Sequence, residues 1–219
     1  MNSLVIPKPD GGPLDALLAS YCSGGLTRPM HAIVASHLAM SHKNRLFVSA
    51  MESVLADEME NIPAQEKIGA RTRRLAAILD EDNVVFAPAE ANSDMIPAPL
   101  AAFMGQSFDD LRWRFVLPGL REVVLESSPD CTASLLWIKA GRAMPSHTHE
   151  GLEATLVLKG SFLDSTGCFN RGDLAVADSE LDHKPVAGPD QDCICFAVSE
   201  GPVHLTGPLA RVFSWIKRN

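Results

Sequence analysis

From Gly141 to Gly160 the chain reads Gly-Arg-Ala-Met-Pro-Ser-His-Thr-His-Glu-Gly-Leu-Glu-Ala-Thr-Leu-Val-Leu-Lys-Gly. No other stretch constrains the fold as much. His147 and His149 stand two apart, and residues two apart on a strand point to the same face. Glu150-Gly151 offers a turn, and Glu153 then opens an apolar run that Gly160 ends. One hairpin thus directs two imidazoles and one carboxylate into a common interior. A fourth donor has to come from elsewhere. His183 is the candidate, since it follows the turn-and-strand signal Gly172-Asp173-Leu174 and precedes Pro185. Three histidines and a carboxylate suit one divalent ion, zinc first, then iron(II), manganese or nickel; ligand type alone does not choose among them. The bland alternative is a set of surface side chains. The spaced glycines and the glutamate favour the metal.

The surrounding sequence has two textures. Residues 14–80 read as four short helices. Leu14, Leu17, Leu18 and Tyr21 recur at helical spacing and Gly24-Gly25 supplies a stop. Ile33, Val34, His37, Leu38 and Met40 repeat the pattern, with Thr27 as a possible cap. Leu46, Phe47, Ala50, Met51, Val54 and Leu55 make a third stripe. A fourth helix after Pro63 is expected to bury Ile68, Leu75, Ile78 and Leu79, with Arg71, Arg73 and Arg74 outside. Such a bundle buries little core alone, so it is expected to lean on a partner or on a second copy of the chain. Residues 86–110, with Pro88, Pro97 and Pro99, read as a linker with room for a short helix. From 111 the pattern has period two. Strands are expected at Leu120–Glu126, Thr132–Ile138, Leu152–Leu158, Leu174–Ala177, Cys193–Val198 and Arg211–Ile216, a spacing that suggests a sandwich or barrel. The expected fold is therefore α+β: a helical unit over 1–85, a linker over 86–110 and a β-barrel over 111–219.

Composition narrows the functions. The formal net charge of -8 over 219 residues disfavours direct contact with nucleic-acid phosphates and is compatible with a basic protein partner. No apolar run approaches the ~18 residues that span a bilayer, and the N-terminus does not read as a signal peptide, so a cytoplasmic location is expected. Five cysteines, an odd number, argue against a disulfide framework. Cys193 and Cys195 face one side of a strand and are expected to be buried thiols, too far apart along it for an easy disulfide. Trp113, Trp137 and Trp215 are expected to pack the C-terminal core or a dimer face.

The Gly141–Gly160 spacing resembles the first cupin motif, and the Gly172–His183 region resembles the second more loosely, with no Asn where that motif usually places one. The match to a cupin barrel, or jelly roll, rests most firmly on His147, His149 and Glu153. Further stretches resemble the ChrR family of anti-sigma factors: Glu153-Ala-Thr-Leu-Val-Leu-Lys-Gly-Ser-Phe, Gly172-Asp-Leu-Ala-Val-Ala-Asp, His183-Lys-Pro-Val-Ala-Gly and Cys193-Ile-Cys. In the helical half, Leu14-Asp-Ala-Leu-Leu-Ala-Ser-Tyr-Cys-Ser-Gly-Gly-Leu and Val34-Ala-Ser-His37-Leu match. The resemblance implies an ECF-type sigma factor as partner of the helices, and a metal-binding cupin domain that tunes a response to oxidative stress. One departure stands out. The family's helical zinc site uses His-x3-Cys-x2-Cys plus an earlier histidine. Here His37 remains, but Ser41 and Asn44 occupy the cysteine positions and no histidine stands just before Asp15. Serine and asparagine are poor zinc ligands beside thiolate, so no zinc is expected there, and one divalent metal per chain is expected overall. His31, His37 and His42 are poorly placed to rebuild a site, because His37 falls on a different helical face.

Two other functions compete. The first is a metal-dependent cupin dioxygenase acting on a small molecule, for which Thr155, Arg142 and His204 are weak substrate-fixing candidates. The second is a purely structural zinc site. Beyond these, a possible homodimer follows from the resemblance to cupins.

Overall fold

The computed structural model describes residues 11–63, 71–80 and 95–206. The helices are α1 (Pro13–Cys22), α2 (Arg28–Met40), α3 (His42–Glu60), α4 (Arg71–Asp80) and α5 (Ala98–Met104), followed by a 3-10 turn at Phe108–Asp110. Prolines at the first helical turns of α1, α2 and α5 suit positions where a backbone N–H has no intrahelical partner. Ser41 caps α3 by accepting from the Asn44 amide.

The strands are β1 (Arg114–Leu117), β2 (Leu120–Ser127), β3 (Cys131–Ile138), β4 (His147–His149), β5 (Glu153–Lys159), β6 (Ser161–Leu163), β7 (Cys168–Asn170), β8 (Leu174–Ala177), β9 (Val186–Ala187), β10 (Cys193–Glu200) and β11 (Val203–Leu205). One antiparallel sheet has the order β1-β2-β3-β10-β5-β8. The two-stranded set β11-β4 and the three-stranded set β7-β6-β9 are joined into a facing layer by bridges between Ala143 and Val186 and between His147 and His183. The five strands expected between Leu120 and Val198 fall within a residue or two of those observed. The one expected at Arg211–Ile216 lies outside the described residues, as do Ile68 and Trp215.

Side-chain alternation sorts the large sheet. On β5, Ala154, Leu156 and Leu158 join one cluster with Ile194, Phe196 and Val198 of β10 and with Leu17, Leu18, Ile33, Val34 and Leu100 of the helices. This is the outer face of the barrel, and α1, α2 and α5 cover it. The opposite set, Val157, Cys193 and Cys195, packs with Phe162 and Ile138 inside the barrel. Seven residues of β10 in a row are therefore buried, because helices close one face and the barrel interior the other. Phe196 sits 5.8 Å from the ring of Phe103 in α5. Its truncation to alanine should cost about 3–5 kcal/mol.

Two expectations change here. Through α1 and α2 the helical segment also leans on its own chain's sheet. Conversely, the apolar stripe of α3 is half-buried only as far as Met51 and then emerges into solvent at Val54 and Leu55. In α4, Leu75, Ile78 and Leu79 are exposed rather than buried.

Candidate metal centre

His147 and His149 sit on β4, with the intervening Thr148 turned the other way. β4 pairs with β11, His149 opposite Val203 and His147 opposite Leu205. A tight turn then delivers the chain to β5. Gly151 is needed in that turn: a Cβ there would lie 2.2 Å from the Glu200 carbonyl oxygen. Gly160 closes the hairpin with φ of 73°, where a Cβ would lie 2.6 Å from the Asp192 carbonyl. His183 belongs to no strand, yet its amide and carbonyl exchange hydrogen bonds with those of His147 at 3.1 and 3.0 Å. The facing layer thus supplies three imidazoles, and the large sheet supplies Glu153 from the other side.

The donor atoms converge. His147, His149, Glu153 and His183 each offer one ligand atom, and these lie within 4.8 Å of one another. The His183 Nε2 is 3.0 Å from that of His147 and 3.3 Å from that of His149. Glu153 Oε2 lies 3.2 Å from His149 Nε2. All three histidines are buried.

Tautomers decide what this cluster can hold. His147 Nδ1 lies 2.8 Å from the Pro145 carbonyl oxygen. A carbonyl only accepts, so this nitrogen carries the proton. His183 Nδ1 lies 3.0 Å from Asp164 Oδ2, a carboxylate 2% exposed, and it donates likewise. Both Nε2 atoms are then bare lone pairs facing each other at 3.0 Å. That arrangement is repulsive unless a cation lies between them, so the donor set fits a divalent ion. Burial lowers the His147 pKa, which keeps the ring in its neutral, ligating form.

Asp164 was not singled out from the sequence. It follows β6, where nothing in the pattern distinguishes it from a turn residue. Its Oδ1 accepts from the Thr166 amide and hydroxyl at 2.8 and 2.6 Å. Burial would raise its carboxyl, but the Thr166 and His183 hydrogen bonds outweigh that and hold it below the ordinary value. A carboxylate behind a ligating histidine fixes its tautomer and orientation.

The remaining candidates are scattered. Thr155 lines the cavity beside the cluster. His204 pairs with Glu150 at 2.6 Å on the surface, and Arg142 packs near Gly119. His31 stacks on Tyr21, and His42 lies beside Arg45. His37 is buried; its Nδ1 donates to the Gly172 carbonyl at 2.8 Å, and its Nε2 faces the Asn44 amide nitrogen at 2.7 Å. Both ring nitrogens are thereby engaged, and Asn44, at a position where the resemblance places a cysteine, is one of the partners. The sulfurs of Cys193 and Cys195 are 3.4 Å apart, nearer than their spacing along the strand suggests. The Cys193 hydrogen bond and burial push the Cys195 pKa well up, and both residues are buried in the core.

An antiparallel two-layered barrel with three histidines and a glutamate inside, and helices packed on its back, defines a cupin-fold protein with a helical extension. The ChrR Cupin-like domain model matches residues 102–204. The chain is 37% identical over 198 residues to the anti-sigma-E factor ChrR of Cereibacter sphaeroides, covering 90% of this chain and 93% of that protein. It is also similar to the crystal structure of Rhodobacter sphaeroides SigE in complex with the anti-sigma ChrR, with a TM-score of 0.71, 37% identity, and coverage of 84% of this chain and 96% of that one. The chain belongs to the ChrR family of anti-sigma factors. Among the described residues no helix is long and apolar enough to cross a membrane.

Proposed function

We propose that this protein is a cytoplasmic anti-sigma factor whose helical part, within residues 1–85, sequesters an ECF-type sigma factor, and whose barrel, within residues 111–219, is a metal-holding sensor acting in the response to oxidative stress. Residues 86–110 join the two. The observation that carries the reading is the apolar surface left on α3 and α4. Val54 and Met59 of α3 are 62% and 70% exposed, and Ile78 and Leu79 of α4 are 65% and 74% exposed. Uncovered apolar side chains at helical spacing mark a protein-binding face. They sit on α3 beyond Met51 and on α4, outside the core that α1, α2 and α5 form with the sheet.

The metal reading assigns one divalent ion, zinc first, to His147, His149, Glu153 and His183. Bound there, the ion would tie the two layers of the barrel together and offer a Lewis-acidic face to a ligand. The test is co-expression with sigma factors of the native host. A one-to-one complex is expected, and Leu75→Asp together with Ile78→Asp should abolish it while leaving thermal stability unchanged. Failure to recover any sigma factor would overturn the reading. Metal analysis of chain purified without added metal should give one ion per chain, and two would overturn the assignment of a single site.

A further inference from the structure

His147 and Glu153 also line a groove of about 430 Å3 that opens between β1, β3, β10 and β11. That size falls within the range of small-molecule pockets. Its walls are mainly apolar, including Val116, Leu117, Leu120, Leu136, Val203 and Leu205. One polar feature stands out. Ser199 also lines the groove and is 7% exposed, and its hydroxyl has no hydrogen-bond partner among the described residues. It pairs with Glu153 across the β10–β5 ladder, so both side chains point into the barrel from neighbouring strands. A buried hydroxyl without a partner costs about 1–3 kcal/mol. The other polar groups are already engaged: Ser134 donates to Glu122 at 3.0 Å, and Arg114 holds the second Glu122 oxygen at 2.8 Å.

Charge states what belongs there. A divalent ion with one carboxylate ligand and three neutral imidazoles keeps a net charge of about +1, among buried histidines. A single negative charge neutralises it; a cation or a dianion does not.

We propose that the groove binds a small organic monocarboxylate, with its head group on the metal and against the Ser199 hydroxyl and its apolar body along Val116, Leu120 and Val203. This site would make the barrel a receptor for an apolar organic acid. The inference rests on the metal reading above.

The test is cobalt(II)-loaded full-length chain titrated with hexanoate and followed by the cobalt visible spectrum. Saturable change is expected with hexanoate, and hexanol should leave the spectrum alone. Affinity should rise about fourfold per methylene from acetate to hexanoate, the equivalent of ~0.8 kcal/mol per buried group. Ser199→Ala should weaken all the carboxylates about tenfold. Val116→Asp, a change at a half-exposed wall, should weaken hexanoate about tenfold while sparing acetate. A cobalt-loaded chain indifferent to hexanoate overturns the proposal and leaves the metal site standing. Equal affinity for acetate and hexanoate overturns it too, because the groove then contributes nothing. A spectrum that changes with protein concentration alone would give the groove to a second copy of the chain and overturn the small-acid assignment. A chain that takes up no cobalt removes the metal reading and this one together.

Discussion

Replacing Asp164 by asparagine isolates the tautomer argument from the ligands themselves. In the native site the Asp164 Oδ2 accepts from His183 Nδ1 at 3.0 Å, while Oδ1 accepts from the Thr166 amide and hydroxyl. Asparagine has one oxygen and cannot serve both sets of donors. If its oxygen keeps the Thr166 contacts, its NH2 faces Nδ1. The ring must then move its proton to Nε2, which removes the lone pair aimed at the metal. If the amide turns round, its NH2 faces the Thr166 donors instead. Either arrangement loses a charge-assisted hydrogen bond of about 1.5–3 kcal/mol. Metal affinity should therefore fall about 10- to 100-fold, or about 1.4–2.7 kcal/mol. Competition with a chromophoric chelator reads the affinity. Nitrogen-15 NMR of the imidazoles reads the tautomer, with the His183 proton expected on Nδ1 in the parent chain. An asparagine variant within twofold of the parent in affinity would refute the reasoning, whatever its effect on folding.

Three further outcomes follow from the geometry. His37 is held below its ordinary pKa mainly by burial, against the opposing Gly172 hydrogen bond. Its contribution to stability is thus present above about pH 6.5 and lost as the pH falls below it. Asn44→Asp places a carboxylate at Nε2, raises the His37 pKa and reverses the sign: the gain is present below about pH 6.5 and lost as the pH rises through the new value. Parallel urea-denaturation profiles for the two proteins between about pH 5 and 8 would contradict this. Gly151→Ala should destabilise the chain by about 1–3 kcal/mol and weaken metal binding, because the Glu200 carbonyl oxygen stands 2.2 Å from the new Cβ; an unchanged melting temperature would argue against it. In the native state Cys168, which is exposed, should react quickly with a thiol reagent, while Cys193 and Cys195 should react only on unfolding. Rapid labelling of all three would show the barrel to be open.

Local pattern carried much of the barrel. Period two placed the strands, and His-x-His with a glutamate four residues on was enough to nominate three of the clustered donors. His183 could be nominated only by its position after a turn; what holds it is a backbone exchange with His147 across 36 residues, and pairing over that distance leaves no local signal. Asp164 and Ser199 escaped for a related reason. A turn aspartate and a strand serine are ordinary in sequence and acquire meaning only from the register that brings them to His183 and Glu153. The helical half misled in a different way. Periodicity identifies an apolar face but not what covers it. The faces of α1 and α2 meet the chain's own sheet, while those of α3 beyond Met51 and of α4 meet solvent.

Under the proposed function, that division bears on the route from the barrel site to the helices. The outward residues of β5 and β10 form one core with α1, α2 and α5, and their inward neighbours on the same strands are Glu153 and Ser199 of the site and groove. A ligand that shifts Glu153 moves a strand whose next residue, Ala154, is packed in that core. His37 adds a second link, because its ring ties α2 to the Gly172 turn before β8, and β8 pairs with β5. Asn44 then connects the same ring to α3, the helix whose far half is exposed. Coupling by this route predicts that Asn44→Ala weakens the dependence of sigma-factor affinity on the state of the barrel more than it weakens the affinity itself. Measuring sigma binding with and without metal, in the parent and in Asn44→Ala, gives the coupling directly. An unchanged ratio between the two would assign His37 and Asn44 to packing alone.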